Sequence, residues 1–380
     1  MNHSFEPTNL FEGCVTSLYQ VISINEKEKW NRTIELFRVK DVYYFQQYCE
    51  LSYLNGEGEP YLFLYKNNDG MICYPFIKRV IKLPFINTNL SKKELYDIMT
   101  PYGYGGPITQ DTNDIEIKEF RKEFDHYCKN ENIISEFIRF HPLLENHRYF
   151  NNLLEINYDR DTVYINLELS EEEILGNYHK NHIRNIKKAV RNNLHFKVFE
   201  KEEAVHQVNH FYHLYKKTMD RLKASPYYYF SEIYIKELLT GLNSNSLIAA
   251  TYTGDKMVAA ALCMYENGKL HYHLGCSNET YLNLGSNIFL FHNLALWGKS
   301  NGCDTFYLGG GYEKEDSLFN FKYRFNQEGL RKYYVGKKIH NLSIYQLLVA
   351  NWEKYYSTKV TGDFFPSYRD KPQYSLFLER

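Results

Sequence analysis

The sequence predicts an α+β protein: two like domains, each a mixed and mostly antiparallel sheet flanked by helices, sharing one cleft. Three observations predict it. The chain of 380 residues is 44% hydrophobic, enough apolar material for two cores. The order hairpin, glycine-bearing loop, helix, strand occurs twice. Between the two copies lies a polar, largely helical stretch, residues 169–234. Like domains packed together tend to leave a cleft, a common place for a ligand site.

In the first copy, residues 41–53 read as a helix with an aromatic face. Residues 60–65 and 71–77 form a hairpin around a turn at 66–70 that carries Asp69-Gly70, a strong turn signal. Pro75 in the second strand asks for an edge position or a bulge. A glycine-tyrosine loop follows at 101–107, then a helix at 115–128 and a strand at 133–140. In the second copy, strands 247–252 and 257–265 flank the turn at 253–256, and a third strand covers 270–275. A polar loop at 278–287 leads to a helix at 288–300 and a strand at 305–308.

Within the intervening stretch, Ser170 and Glu173 have the spacing of a capping box. Plotting residues 178–193 at 100° per residue puts Lys180, Arg184, Lys187, Lys188 and Arg191 in one sector and Ile183, Ile186 and Val190 in the next. The helix should pack one side and present a cationic stripe on the other. Five cations without an interleaved acid are either a solvated face or a phosphate or polyanion contact. Residues 211–222 read as another amphipathic helix, and 226–230 as an aromatic turn that packs or walls a pocket.

Chemistry concentrates at residues 304–326. A short strand ends in Gly309, Gly310 and Gly311, a polar loop carries Tyr312, Glu313, Glu315 and Asp316, and an aromatic-cationic knot follows with Phe321, Lys322, Arg324 and Phe325. Consecutive glycines let a backbone turn sharply or something approach it closely. The acids next to them could hold a general base or keep a loop wet.

Much else is excluded. A formal charge of −1 rules out a uniformly basic nucleic-acid surface, though not a local patch. The 36 Tyr and 25 Phe supply rings for clefts as well as cores. Seven scattered cysteines with no CxxC pair read as reduced, buried thiols. Walker, GxSxG and HExxH patterns are absent. His271 and His273 alternate on one strand, but no further ligands at defined spacing accompany them, so no metal is expected. A basic leader and an apolar run of ~20 residues are both missing, which predicts a soluble, cytoplasmic protein without a transmembrane segment.

The run YLGGGYEKEDSLFNFKYRF, with FIRFHPLL at 137–144, PYGYGGP at 101–107 and the basic HIRNIKKAVRNN helix, resembles the Fem family of tandem GNAT (N-acetyltransferase-superfamily) transferases. The resemblance covers residues from about 40 to about 330. It implies two GNAT-like domains: residues 1–155, which the tail at about 335–380 would complete, and residues 156–334. It implies transfer of an acyl or aminoacyl group to a primary amine of a small or cell-wall-related acceptor. The co-substrate would be acyl-CoA or aminoacyl-tRNA, with no tightly bound cofactor, and tRNA a possible partner.

By the same resemblance, Lys322 stabilises the oxyanion, Phe321 and Phe325 shelter it, and Tyr312, Glu313 or Asp316 could take the proton. Arg184, Lys187 and Lys188 would face phosphates. Tyr102 and Tyr104, with Gly309, Gly310, Gly311 and Arg324, would line the substrate cleft. Gly285, Ser286 and Asn287 stand where a CoA pyrophosphate would lie, but only the glycine fits the usual loop pattern. The long coiled-coil arm of some Fem proteins is absent. The alternative is a non-catalytic binding module on a degenerate acyltransferase fold, recognising a nucleotide-linked or polyanionic ligand.

Overall fold

The computed structural model describes residues 19–67, 70–86, 94–362 and 364–371. The tip of the first hairpin's turn, Asn68 and Asp69, and the leader region both lie outside them.

The thirteen described strands are β1 (Tyr19–Ser23), β2 (Glu59–Lys66), β3 (Met71–Val80), β4 (Tyr96–Met99), β5 (Ile108–Gln110), β6 (Ile133–Arg139), β7 (Glu155–Asn166), β8 (His195–Glu200), β9 (Ser246–Thr253), β10 (Lys256–Glu266), β11 (Lys269–Ser277), β12 (Thr305–Gly309) and β13 (Leu330–Ile339). They form one sheet in the order β1-β2-β3-β4-β6-β13-β7-β12-β11-β10-β9-β8, with β5 added on β3.

Read inward from either edge, the order shows the same pairings: three antiparallel contacts, one parallel, one antiparallel. The parallel pairs are β4/β6 and β11/β12. A parallel neighbour needs a crossover, supplied by helices Asp114–Asn130 and Ser286–Ser300. The duplicated order read from the sequence is thus visible in the pairing. The two halves exchange a strand. β7 follows β6 in the chain but pairs with β12, while β13 follows β12 and pairs with β6 as well as β7.

Local chemistry explains most elements. Ser170 and Glu173 close the expected capping box of helix Glu171–Gly176, and Asn113 with Glu116 closes another on Asp114–Asn130. Pro75 lies inside the sheet rather than at its edge. β5 pairs residues 71–73 and β4 pairs 77–80, so Pro75 faces the gap between them, where a missing N–H is tolerated.

One expectation needs correction. The helix at 41–53 is broken at Phe45, whose backbone is extended, into a 3₁₀ turn Val42–Tyr44 and a helix Gln46–Leu54. The stretch 169–234 is largely helical and also contains a strand, β8, whose alternating His195, Phe196, Lys197, Val198 pattern extends the sheet beyond β9. Of the described cysteines, six are free and buried.

Four clusters of buried side chains flank the sheet. The largest joins helices Lys27–Glu35, Gln46–Leu54, Val208–Leu222 and Glu232–Leu242 to both halves. The site described next lies beside it, where β12 ends.

Candidate functional site

β12 runs into Gly309, which has φ +74°, a conformation glycine adopts freely. A β-carbon on Gly309 would meet two groups, Lys322 Nζ and Tyr104 Oη, each at 3.6 Å. The lysine comes from helix Ser317–Tyr323 and the tyrosine from the 101–107 loop of the other copy, so the repeat's two glycine regions meet here.

Lys322 is 5% exposed. Its ammonium donates to Gly310 O at 2.6 Å and lies 5.6 Å from the Tyr272 ring. Among the described residues it forms no salt bridge, and burial pulls its pKa down to about 7 despite the more distant Asp316. Its ammonium is therefore a poorly solvated cation, suited to a developing negative charge. Tyr104 is held by Tyr307, hydroxyl to hydroxyl at 3.1 Å, and burial raises it to about 12, so it remains a phenol.

The glycines are positioned from β7. Arg160 pairs with Asp159 and donates to Gly311 O at 2.8 Å and Tyr312 O at 2.6 Å. A β-carbon on Gly311 would overlap the Asp316 carboxylate. That carboxylate accepts from Phe319 N at 2.7 Å, Tyr312 N at 2.7 Å and Glu313 N at 3.0 Å. Burial raises its pKa, but these amides outweigh burial and hold it below the ordinary carboxylate value. Asp316 is thus the cap of the Lys322 helix, its carboxylate turned to three backbone amides. Tyr312 and Glu313 stand exposed on the loop. Gly311→Ala should displace the cap and destabilise the protein by about 1–2 kcal/mol, read as a lower urea midpoint with unchanged slope.

Phe325 is buried against Phe291, Tyr178 and His182, and Phe321 meets Phe325 at 5.5 Å. His182 Nε2 lies 3.0 Å from Phe321 O, and burial lowers its pKa to about 4. This contact ties helix Lys180–Arg191 to the lysine helix. Arg324 is exposed.

On helix Lys180–Arg191, the cations Lys180, Arg184, Lys187, Lys188 and Arg191 are all exposed and none is in a salt bridge among the described residues. The packed face is His182, Ile186 and Ala189 rather than the set that included Val190, which is 58% exposed. The small Ala189 lets the helix seat on that line and rotates Val190 outward.

The loop expected to face a CoA pyrophosphate is closely packed. Gly285 caps the start of helix Ser286–Ser300 with φ +80°, but a β-carbon there would meet Asn185 O at 2.7 Å. Helix Lys180–Arg191 therefore closes over Gly285. Ser286 is fully buried and its hydroxyl donates to Tyr281 O at 3.2 Å, while Asn287 is half-buried.

Sequence reasoning missed a buried cluster beside these rings. Asp41 Oδ1 accepts from Val42 N at 2.7 Å, and Oδ2 accepts from His271 Nε2 at 2.9 Å. His141 Nε2 is 3.0 Å from the same oxygen, off the line of a hydrogen bond. These three residues are spaced to hold a metal ion. Leu144 N donates to His141 Nδ1 at 3.3 Å, however, which keeps the proton on Nε2. A protonated Nε2 offers no lone pair to a metal, so a carboxylate bracing two imidazoles fits better. His273 lies apart, bonded to Tyr234 Oη at 3.0 Å, and burial lowers its pKa to about 3. Tyr102 packs its half-buried ring on Phe230, Tyr227 and His273.

Residues 177–323 match the family model of the acetyltransferase (GNAT) domain. The structure of FemX superposes with a TM-score of 0.63 at 13% identity, covering 87% of this chain and 99% of that one. L-PGS from Bacillus licheniformis superposes with a TM-score of 0.55 at 15% identity, covering 82% and 91%. The C-terminal domain of a putative lysylphosphatidylglycerol synthetase from Agrobacterium fabrum gives 0.53 at 14% identity, covering 87% and 98%. No curated protein matches the sequence. No helix among the described residues is long and apolar enough to cross a membrane. The chain has the fold of FemX, and residues 177–323 match the GNAT domain model.

Proposed function

We propose that the protein transfers an acyl or aminoacyl group to a primary amine at the Lys322 site. The observation that carries this reading is the convergence of Lys322 Nζ and Tyr104 Oη over Gly309, a cation and a neutral phenol meeting between the two copies. A free amine attacks the donor carbonyl, and the new C–N bond pushes charge onto oxygen. Lys322, as an ammonium, stabilises that oxyanion. Collapse breaks the C–S or C–O bond, and Tyr104 relays the proton, giving its own to the leaving group and taking the one the amine nitrogen loses.

The donor follows from the helix features. Closure over Gly285 weakens a pyrophosphate grip of the usual GNAT kind, while the unpaired cations of helix Lys180–Arg191 suit the phosphates of an aminoacyl-tRNA. The acceptor is a primary amine of a small or cell-envelope-related molecule. Turnover with aminoacyl-tRNA but not with acyl-CoA confirms this donor; turnover with acyl-CoA alone overturns it.

If tRNA binds along the stripe, replacing Arg184, Lys187 and Lys188 together by Ala should reduce the slope of log affinity against log salt by about 2–3, measured by fluorescence anisotropy over a NaCl series. An unchanged slope removes the stripe from the donor site.

A second reading has one observation in its favour. Lys322 is almost wholly buried, as it would be in a binding module that has lost its chemistry. Ligand binding without turnover from either donor would select it.

A further inference from the structure

Tyr104 accepts a hydrogen bond from Tyr307 Oη at 3.1 Å, and its own hydroxyl proton has no acceptor among the described residues. That proton is free to leave into the space over Gly309, which Tyr104 Oη shares with Lys322 Nζ. The direction of the bond matters. A phenol that receives a donor loses its proton more readily, because the donor then holds the phenolate. Burial works against the phenolate of Tyr104 and Tyr307 works for it, while the ion-paired Arg160 and Asp159 pull in opposite directions.

Tyr307 is held rigidly. It lies in β12, two positions before Gly309, and is 1% exposed. β12 is paired on one side with β11 and on the other with β7, so its backbone is fixed from both. The Tyr307 ring meets Tyr104 at 5.4 Å and His271 at 5.7 Å, each edge to face. His271 is bonded in turn to Asp41, and Tyr104 packs on His141, the other imidazole of that cluster. The Asp41 cluster, otherwise without a part in the chemistry, therefore backs both phenols.

We propose that Tyr307 is a positioning residue for acyl transfer: its hydroxyl turns the Tyr104 proton toward the leaving group and stabilises the Tyr104 oxygen while that proton is away. The inference rests on the acyl-transfer reading and deepens it. As the C–S or C–O bond breaks, Tyr104 gives its proton to the departing sulfur or oxygen. The amine nitrogen, now bonded to the acyl carbon, returns a proton to Tyr104. Tyr307 keeps its own proton throughout and, being buried, meets no substrate. A general acid oriented by a third group in this way follows the same logic as an oriented base.

Fluorotyrosine placed at position 104 of the full chain reports its own ionisation by fluorine NMR, without any substrate. Tyr307→Phe should raise its pKa by about one unit. Tyr333→Phe, which strips a hydroxyl from a ring 5.5 Å from Tyr104 without touching that bond, should leave it in place. With aminoacyl-tRNA and a primary amine as substrates, Tyr307→Phe should lower kcat about tenfold at unchanged KM. That loss should vanish in a Tyr104→Phe background, since Tyr307 acts through Tyr104 alone. A pKa at 104 that Tyr307→Phe does not move, an equal rise in Tyr333→Phe, or losses that multiply in the double variant overturn the proposal. Normal turnover in both Tyr104→Phe and Lys322→Ala sinks acyl transfer at this site and the role of Tyr307 with it. Slow turnover in both, with normal turnover in Tyr307→Phe, sinks the role of Tyr307 alone.

Discussion

Lys322→Ala lowers turnover by about 10²–10³ while leaving the protein folded. Removal of one preorganised oxyanion donor has that effect in acyl-transfer enzymes. The ammonium makes a single hydrogen bond, to Gly310 O, and no ion pair among the described residues, so truncation leaves no buried carboxylate unmatched. The loss should therefore appear in kcat far more than in a urea midpoint. Normal kinetics in the variant would remove Lys322 from the mechanism.

The pH profile tells which role the lysine plays. With a pKa near 7, it is about half protonated at neutrality. An oxyanion stabiliser works as the cation, so kcat should fall as pH rises through about 7. A lysine acting as base works as the free amine, and kcat would rise instead.

The second large effect is on stability. Asp41→Ala should destabilise the protein by about 3–5 kcal/mol at pH 7, because it strips a buried partner from His271, His141 and the Val42 amide together. Burial alone would raise Asp41, but the imidazoles of His271 and His141 hold it well below its ordinary 3.8. A carboxyl depressed on folding contributes stability that is complete above its unfolded pKa and is lost as pH falls toward the folded value. The gap between wild type and Asp41→Ala should thus stay constant from pH 7 to 5 and narrow below about 4. A gap below about 1 kcal/mol at pH 7, or one that widens in acid, would refute the bracing role.

Three glycines mark the end of β12 in the sequence, and the structure brings Lys322, on the helix that follows, beside the first of them. The capping role of Asp316 was not legible, because it depends on the direction of the Phe319 amide three residues on. Asp41 carried no signal at all. It is a single acid between Lys40 and Val42, and its partner His271 lies 230 positions away. The hairpins were legible from alternation and turns. The exchange of β7 and β13 was not, since periodicity reports that a strand exists but not which edge receives it.

That exchange bears on how the chain is made. β6 emerges during synthesis roughly 190 residues before β13, the strand that covers its edge. At ~5–20 residues per second the edge waits on the order of 10–40 s. An uncovered strand edge invites pairing with other chains, so yield should depend on elongation rate and on holding chaperones more than final stability suggests.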